Sequence, residues 1–142
     1  MRYWGSHCHK MAENKTRTSE EKSADYKSKA EVQIARLLDR EGIAYQYEHP
    51  LAVIDRGRIR VWYPDFRLPE YGMILEYFGL NGDLGYRQRT EHKLQVYRAN
   101  GVEGVFLRPE SFRGDWPGRV LEQIEDVLRR RYDGFYRRRG DR

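Results

Sequence analysis

The chain has 142 residues, 39% of them hydrophobic and 35% charged, which suits one domain with a sizeable core and is too apolar for a disordered chain. A formal net charge of +5 favours a polyanionic partner, either nucleic acid or an anionic surface. No apolar run approaches the ~18 residues of a membrane span, no signal-like apolar stretch opens the chain, and the single cysteine, Cys8, excludes an intramolecular disulfide framework; a cytoplasmic protein with no membrane partner is the expectation.

Residues 1–22 show no period and read as a flexible arm, in which His7-Cys8-His9 lacks the spacing of a structural zinc site. Over residues 23–40 the pattern turns helical, with Ala30, Ile34, Leu37 and Leu38 forming a stripe and Gly42 following as a stop. Ile43, Tyr45 and Tyr47 then alternate as in a half-buried strand. Beyond Pro50, LAVI and RIRVWYPDF flank a turn-like Asp55-Arg56-Gly57, which predicts a hairpin, with LAVI either its short arm or a continuation of the first strand. A period of two puts Ile59, Val61, Tyr63 and Asp65 of the second arm on one face and turns Trp62 away from it.

LPEYG makes the next turn, and MILEYF reads as a strand with Ile74, Glu76 and Phe78 on one face. After the NGDLG loop, residues 86–100 form a helix with Tyr86, Thr90, Leu94 and Tyr97 on one side, closed by Gly101. VEGVFLRP supplies a last short strand. A final helix starts at Asp115 as N-cap, with Pro117 in its first turn and Val120, Leu121, Ile124, Val127 and Leu128 on its apolar face. Residues 129–142 then carry seven arginines in fourteen positions, a basic C-terminal tail. The expected architecture is α/β, a small mixed central sheet flanked by helices over residues 23–128.

Asp65 and Glu76 stand inside segments that read as buried strands, and a buried carboxylate is costly unless something positive meets it. Strands joined by a tight turn lie ~4.8 Å apart, so two such acids can share one ion. Glu31 borders the stripe of the first helix and can point the same way. Three converging acids repel one another; a hard divalent ion such as Mg²⁺ relieves this, binding few carboxylates and keeping several waters. Metal-assisted hydrolysis of a phosphodiester accounts for both the inward acids and the basic surface. The plainer readings are that Asp65 caps a turn after Pro64, Glu76 pairs with an arginine at a sheet edge, Glu31 pairs with Lys27, and the arginine run is solvated.

Ser28-Lys29-Ala30-Glu31, Pro64-Asp65 and Glu76-Tyr77-Phe78, in that element order, resemble the PD-(D/E)xK nucleases, and the segment from YPDF to VFLRP is similar to small very-short-patch-repair-like endonuclease domains and to nuclease domains fused to helicases. The resemblance covers about residues 28–109. It implies a restriction-endonuclease-like core and a DNA endonuclease that leaves a 5′-phosphate. It further implies Mg²⁺ (or Mn²⁺) held by Asp65, Glu76 and the Tyr77 carbonyl, with Glu31 in support. The usual lysine two residues after the second acid is replaced by Phe78; Lys93 on the following helix is its first substitute, ahead of Gln88 and Arg89. His92, ~100° around that helix from Lys93, is expected to face elsewhere, and His49 to belong to a turn. Arg129, Arg130, Arg131, Arg137, Arg138 and Arg139 would grip the DNA backbone. The rival expectations are an inactive nuclease-fold DNA-binding module and an RNA-processing nuclease; such enzymes also work as homodimers or within larger DNA-processing complexes.

Overall fold

The structure, a computed structural model, describes residues 26–79 and 82–140; the arm read over residues 1–22, Cys8 included, lies outside them. Among the described residues the order is α1 (Lys29–Arg40), β1 (Gln46–Tyr47), β2 (Leu51–Asp55), β3 (Arg58–Trp62), β4 (Phe66–Leu68), β5 (Met73–Tyr77), α2 (Leu84–Ala99), β6 (Gly104–Leu107), a 3₁₀ turn (Pro109–Phe112) and α3 (Trp116–Gly140). The chain is a mixed α/β domain. None of these helices is long and apolar enough to cross a membrane.

Side chains and glycines set the helix ends. Ser28 Oγ accepts the Glu31 N–H at 3.2 Å and starts α1. Gly42 (φ +65°) and Gly101 (φ +67°) take the left-handed conformation that lets Ile43 N–H return to Leu38 O and Val102 N–H to Tyr97 O, both at 2.9 Å. Asp115 caps α3 through the Gly118 N–H at 3.1 Å. That helix does not stop where its apolar face ends: it carries the arginine run with it to Gly140.

The main sheet has the order β1-β4-β5-β6. Its β1–β4 and β4–β5 pairs are antiparallel, while β5 and β6 are parallel, with α2 as the crossover that a parallel pair requires. The β2–β3 hairpin stands apart as a two-stranded ribbon. It turns on Arg56 (φ 50°) and Gly57 (φ 73°), the pair of positive φ values that suits a two-residue hairpin. Ile34, Leu37 and Leu38 of α1 and Val120, Ile124 and Val127 of α3 pack with Phe66, Leu75 and Leu107. Val96 and Tyr97 of α2 and Val53 of the ribbon pack with Ile74 in a second cluster. Alternation along β5 puts these two clusters on opposite faces of the sheet.

Three expectations are corrected here. RIRVWYPDF is two strands, not one: Pro64, which has no N–H for a ladder, separates β3 in the ribbon from β4 in the sheet. Ile59, Val61 and Tyr63 therefore do not share a core face with Asp65; they are 77%, 54% and 58% exposed. Trp62 is the residue turned inward, its ring edge-on to Tyr97 at 5.4 Å. Finally, only Gln46–Tyr47 of the first alternating run is strand, and Tyr45 and Tyr47 surround the buried Phe66 ring at 5.4 and 5.6 Å.

Gly104 faces Ile74 across the parallel pair, and a Cβ there would lie 2.7 Å from both the Ile74 carbonyl oxygen and its Cγ1. Gly104→Ala is expected to lower unfolding free energy by about 1–3 kcal/mol in urea denaturation, because the clash is with backbone in a packed sheet.

Candidate functional site: a carboxylate pair, a helix lysine and a cationic groove

The last paired rung of the β4–β5 ladder is Phe66 opposite Leu75. One residue further out, the antiparallel register sets Asp65 opposite Glu76. Asp65 is then tied in from both sides: its carbonyl accepts the Glu48 N–H at 3.0 Å, and its Oδ2 accepts the Tyr77 N–H at 2.8 Å. Asp65 thus takes a main-chain donor that the short β4 leaves behind, and does not cap a turn of its own after Pro64.

Glu76 is 3% exposed, yet both its oxygens are met. Tyr97 Oη donates to Oε2 at 2.7 Å, and the Lys93 ammonium pairs with Oε1. Lys93 and Tyr97 lie one helical turn apart on α2, so one face of one helix delivers both partners. No sheet-edge arginine is involved. Phe78, in the position where the resemblance calls for a lysine, is buried and stacked on Phe106 with centroids 6.0 Å apart. The Lys93 Nζ sits 5.9 Å from the Phe78 ring, 6.0 Å from Trp62 and 5.8 Å from Tyr97. An ammonium over three aromatic faces is held by their quadrupoles as well as by the carboxylate.

Glu31 is 6% exposed, and the start of α1 engages both its oxygens. Oε2 accepts the Tyr47 hydroxyl at 2.5 Å and the Lys27 N–H at 3.0 Å, while Oε1 accepts Ser28 Oγ at 3.1 Å. Ser28 caps the Glu31 N–H while the Glu31 carboxylate reaches back to the Ser28 hydroxyl and the Lys27 N–H, an N-terminal arrangement that the S-x-x-E spacing signals. The Lys27 ammonium pairs with Glu48, not with Glu31.

Burial is the main reason the Asp65 carboxyl is pushed up, from 3.8 to about 7; Glu76 and Glu31 raise it further, and the Tyr77 N–H and Lys93 pull it back. Asp65 therefore feels all three other groups. The Tyr97 hydroxyl is held far above its ordinary range by burial and by the Glu76 charge. Among the described residues no three acidic, histidine or cysteine side chains are arranged to hold one metal ion. The oxygen donors in place are a pair, Asp65 and Glu76, with Glu31 committed elsewhere.

A groove of about 470 Å³ runs beside this cluster, lined by Arg89, His92, Lys93 and the Lys27–Glu48 ion pair with Val61 and Trp62 of the ribbon and Tyr63 beyond it. His92 is a correction: it faces the groove and bonds Asp55 Oδ1 through Nε2 at 3.0 Å, because the ribbon folds back onto α2. Arg89 borders the groove and Gln88 does not; Gln88 lines a larger cavity of about 560 Å³ beyond Phe78 with Tyr86, Arg87 and Arg108. That cavity takes in none of the convergent charges, so the groove is the better candidate. His49 lies in the turn before Pro50, its Nδ1 3.2 Å from the Pro50 carbonyl oxygen.

The arginines divide. Arg131 is not a free DNA contact: Nε meets Glu103 Oε2 at 2.5 Å, Nη2 donates to Gly72 O at 2.8 Å, and Nη1 to Tyr71 O. It pins α3 to the β4–β5 turn. Arg129 is exposed near Glu125 and Asp126, both at 3.9 Å. Arg130, Arg137, Arg138 and Arg139 are exposed, Arg139 stacking over Phe135 at 5.3 Å.

No family model matches the chain, and neither a curated protein nor a solved structure does.

Two outcomes follow for the carboxylates. Asp65 keeps in the fold a proton that it loses when unfolded, so ionising it weakens the fold as pH rises from about 4 to about 7. Asp65→Asn, which still accepts the Tyr77 N–H, is expected to match the wild type below that window and exceed it above by on the order of 2 kcal/mol, read from paired melts across pH. Lys93→Met leaves Glu76 buried and unpaired and is expected to cost about 3 kcal/mol, most of it recovered when Glu76→Gln is added in a double-mutant cycle.

Proposed function

We propose that the chain is a metal-dependent nuclease that hydrolyses DNA phosphodiester bonds beside the Lys93 groove. One observation carries this reading: Asp65 and Glu76 fall on opposed positions of two adjacent strands, and a lysine from a different element pairs with Glu76 there. The pattern resembles the PD-(D/E)xK arrangement, with its lysine moved from strand to helix.

The fit to a hard divalent ion rests on the donor chemistry. Two carboxylates lie side by side, and the proton affinity of Asp65 is raised chiefly by burial, with the Glu76 and Glu31 charges adding to it. Asp65, Glu76 and the Tyr77 carbonyl would hold Mg²⁺ or Mn²⁺, with Glu31 fixing the helix that closes the site. A bound ion of this type lowers the pKa of its water and neutralises charge on a phosphate oxygen. The chain's own groups would do the rest. Lys27 and Arg89 attract and align the phosphate backbone along the groove. Lys93, released from Glu76 when the carboxylate takes another partner, offers a cation on a flexible stem to the scissile phosphate or the attacking water. Tyr97 keeps Glu76 aimed through its 2.7 Å hydrogen bond.

A second reading has an observation of its own. Lys93 already neutralises Glu76, so the same fold is stable as a DNA-binding module without catalysis. Nicking of supercoiled plasmid separates the two. The nuclease reading expects cleavage with Mg²⁺ or Mn²⁺ and none in EDTA, loss in Asp65→Asn and Glu76→Gln, and a fall of roughly 100-fold or more in Lys93→Ala. DNA bound equally well in EDTA but never cut, with either metal, would establish the binding module instead.

A further inference from the structure

The β2–β3 ribbon has two unlike faces. Its inner face is used: Val53 packs with Val96 and Tyr97, Trp62 abuts Tyr97, and Asp55 bonds His92. Asn100, the C-cap of α2, also clamps the ribbon by accepting the Ile54 N–H at 2.8 Å and donating to the Ile54 carbonyl at 2.9 Å. The register places Ala52 opposite Val61 and Ile54 opposite Ile59 on the other face, with Tyr63 continuing it. Ile54, Ile59, Val61 and Tyr63 are 61%, 77%, 54% and 58% exposed. A rigid, outward-facing aliphatic ribbon is thus built at some cost in solvation, and the core does not explain it.

Three features select its occupant. Arg56, Arg58 and Arg60 are exposed within five residues of the same hairpin; Arg58 and Arg60 alternate with Ile59 and Val61, so their long side chains flank the aliphatic face, a density of cations suited to a polyanion. Val61 and Tyr63 run directly into the groove that holds Lys93, so whatever lies on the ribbon extends into the candidate site. Size decides the rest. A two-stranded ribbon, with strands ~4.8 Å apart, fits a major groove ~12 Å wide and not a minor groove of ~6 Å. A second copy of the chain fits less well, since four exposed apolar side chains fall far short of the roughly 20–30 residues a side of a stable interface.

We propose that the outer face of the β2–β3 ribbon enters the major groove of duplex DNA, with Ile54, Ile59 and Val61 against thymine methyl groups and Arg56, Arg58 and Arg60 on the flanking phosphates. The assignment rests on DNA being the substrate, and it makes that substrate double-stranded on the ribbon side of the cut.

The test is binding of a thymine-containing short duplex, and of the same duplex with uracil in place of thymine, followed by fluorescence anisotropy in EDTA so that nothing is cleaved. The wild type is expected to bind the uracil duplex several-fold more weakly, since only the methyl groups are missing. Ile59→Ser with Val61→Ser should weaken binding to the thymine duplex by about ten-fold and abolish the thymine preference. Arg56→Gln, Arg58→Gln and Arg60→Gln should lower the slope of log affinity against log salt by about 0.9 for each arginine removed. All five positions are exposed, and unchanged melting temperatures verify that the variants fold. Ribbon variants that bind and nick like the wild type, with the same salt slope, would overturn the ribbon assignment and leave the nuclease reading standing. A wild-type chain that binds no duplex overturns the ribbon assignment, absence of metal-dependent cleavage of any DNA overturns the nuclease reading, and metal-dependent cleavage of single strands alone would overturn the major-groove assignment while keeping the enzyme.

Discussion

The burial of Glu76 is the constraint around which the second half of the molecule is arranged. A carboxylate 3% exposed on a strand between two neighbours cannot stand without a cation and a donor. Both come from α2, and they fix the rotation of that helix about its axis, because Lys93 and Tyr97 must point at the same atom pair. Once α2 is so oriented, Tyr97 stacks on Phe106 and meets Trp62, which brings the ribbon down on the helix. Asn100 and His92, on the same helix, complete the ribbon's attachment. One acid in the sheet thereby positions three elements. A Leu at position 76 would pack at less electrostatic cost, but it would leave the ammonium of Lys93 with no reason to lie where it does.

The strongly patterned elements were legible in the sequence, and the places where the chain changes partner were not. α1 and α2 announced themselves by stripe and by Gly42 and Gly101, and the hairpin by Asp55-Arg56-Gly57, because each signal is local. Asp65 and Glu76 were visible as acids inside apolar runs. The error over RIRVWYPDF arose because a period of two describes a straight strand, whereas Pro64 lets the chain leave one sheet and enter another. The faces assigned to β3 were therefore inverted, Trp62 going in and Ile59 out. Arg131 was misplaced for a similar reason: nothing in a run of arginines says which one reaches Tyr71, Gly72 and Glu103, each at least 28 residues away. His92 depended on a fold-back of the ribbon that no helical wheel contains.

Beside Glu76 the strand supplies packing and the helix supplies charge. A strand lysine two residues after Glu76 would lie on the Glu76 face and compete with α2 for the same volume. Phe78 fills that volume with a ring stacked on Phe106, and the ammonium beside Glu76 comes from Lys93 of α2. It rests against Trp62, Phe78 and Tyr97 as well as against the carboxylate. A lysine so placed can leave Glu76 without leaving the site.

Asp65 and Glu76 are not equivalent, and the difference has a mechanical origin. Glu76 is paired ahead of any ligand, so its charge is compensated within the fold. Asp65 has one main-chain donor, sits just before β4 and is partly buried without an ion-pair partner of its own among the described residues; burial first, then the charges of Glu76 and Glu31, lift its proton affinity to near neutrality. Of the two acids it is the one whose state a newly arriving cation changes most. In the metal-dependent reading, a cation binding there would displace a proton rather than another protein group, whereas at Glu76 it would have to displace Lys93. Arrival at Asp65 and release of Lys93 would then be two halves of one exchange of charge.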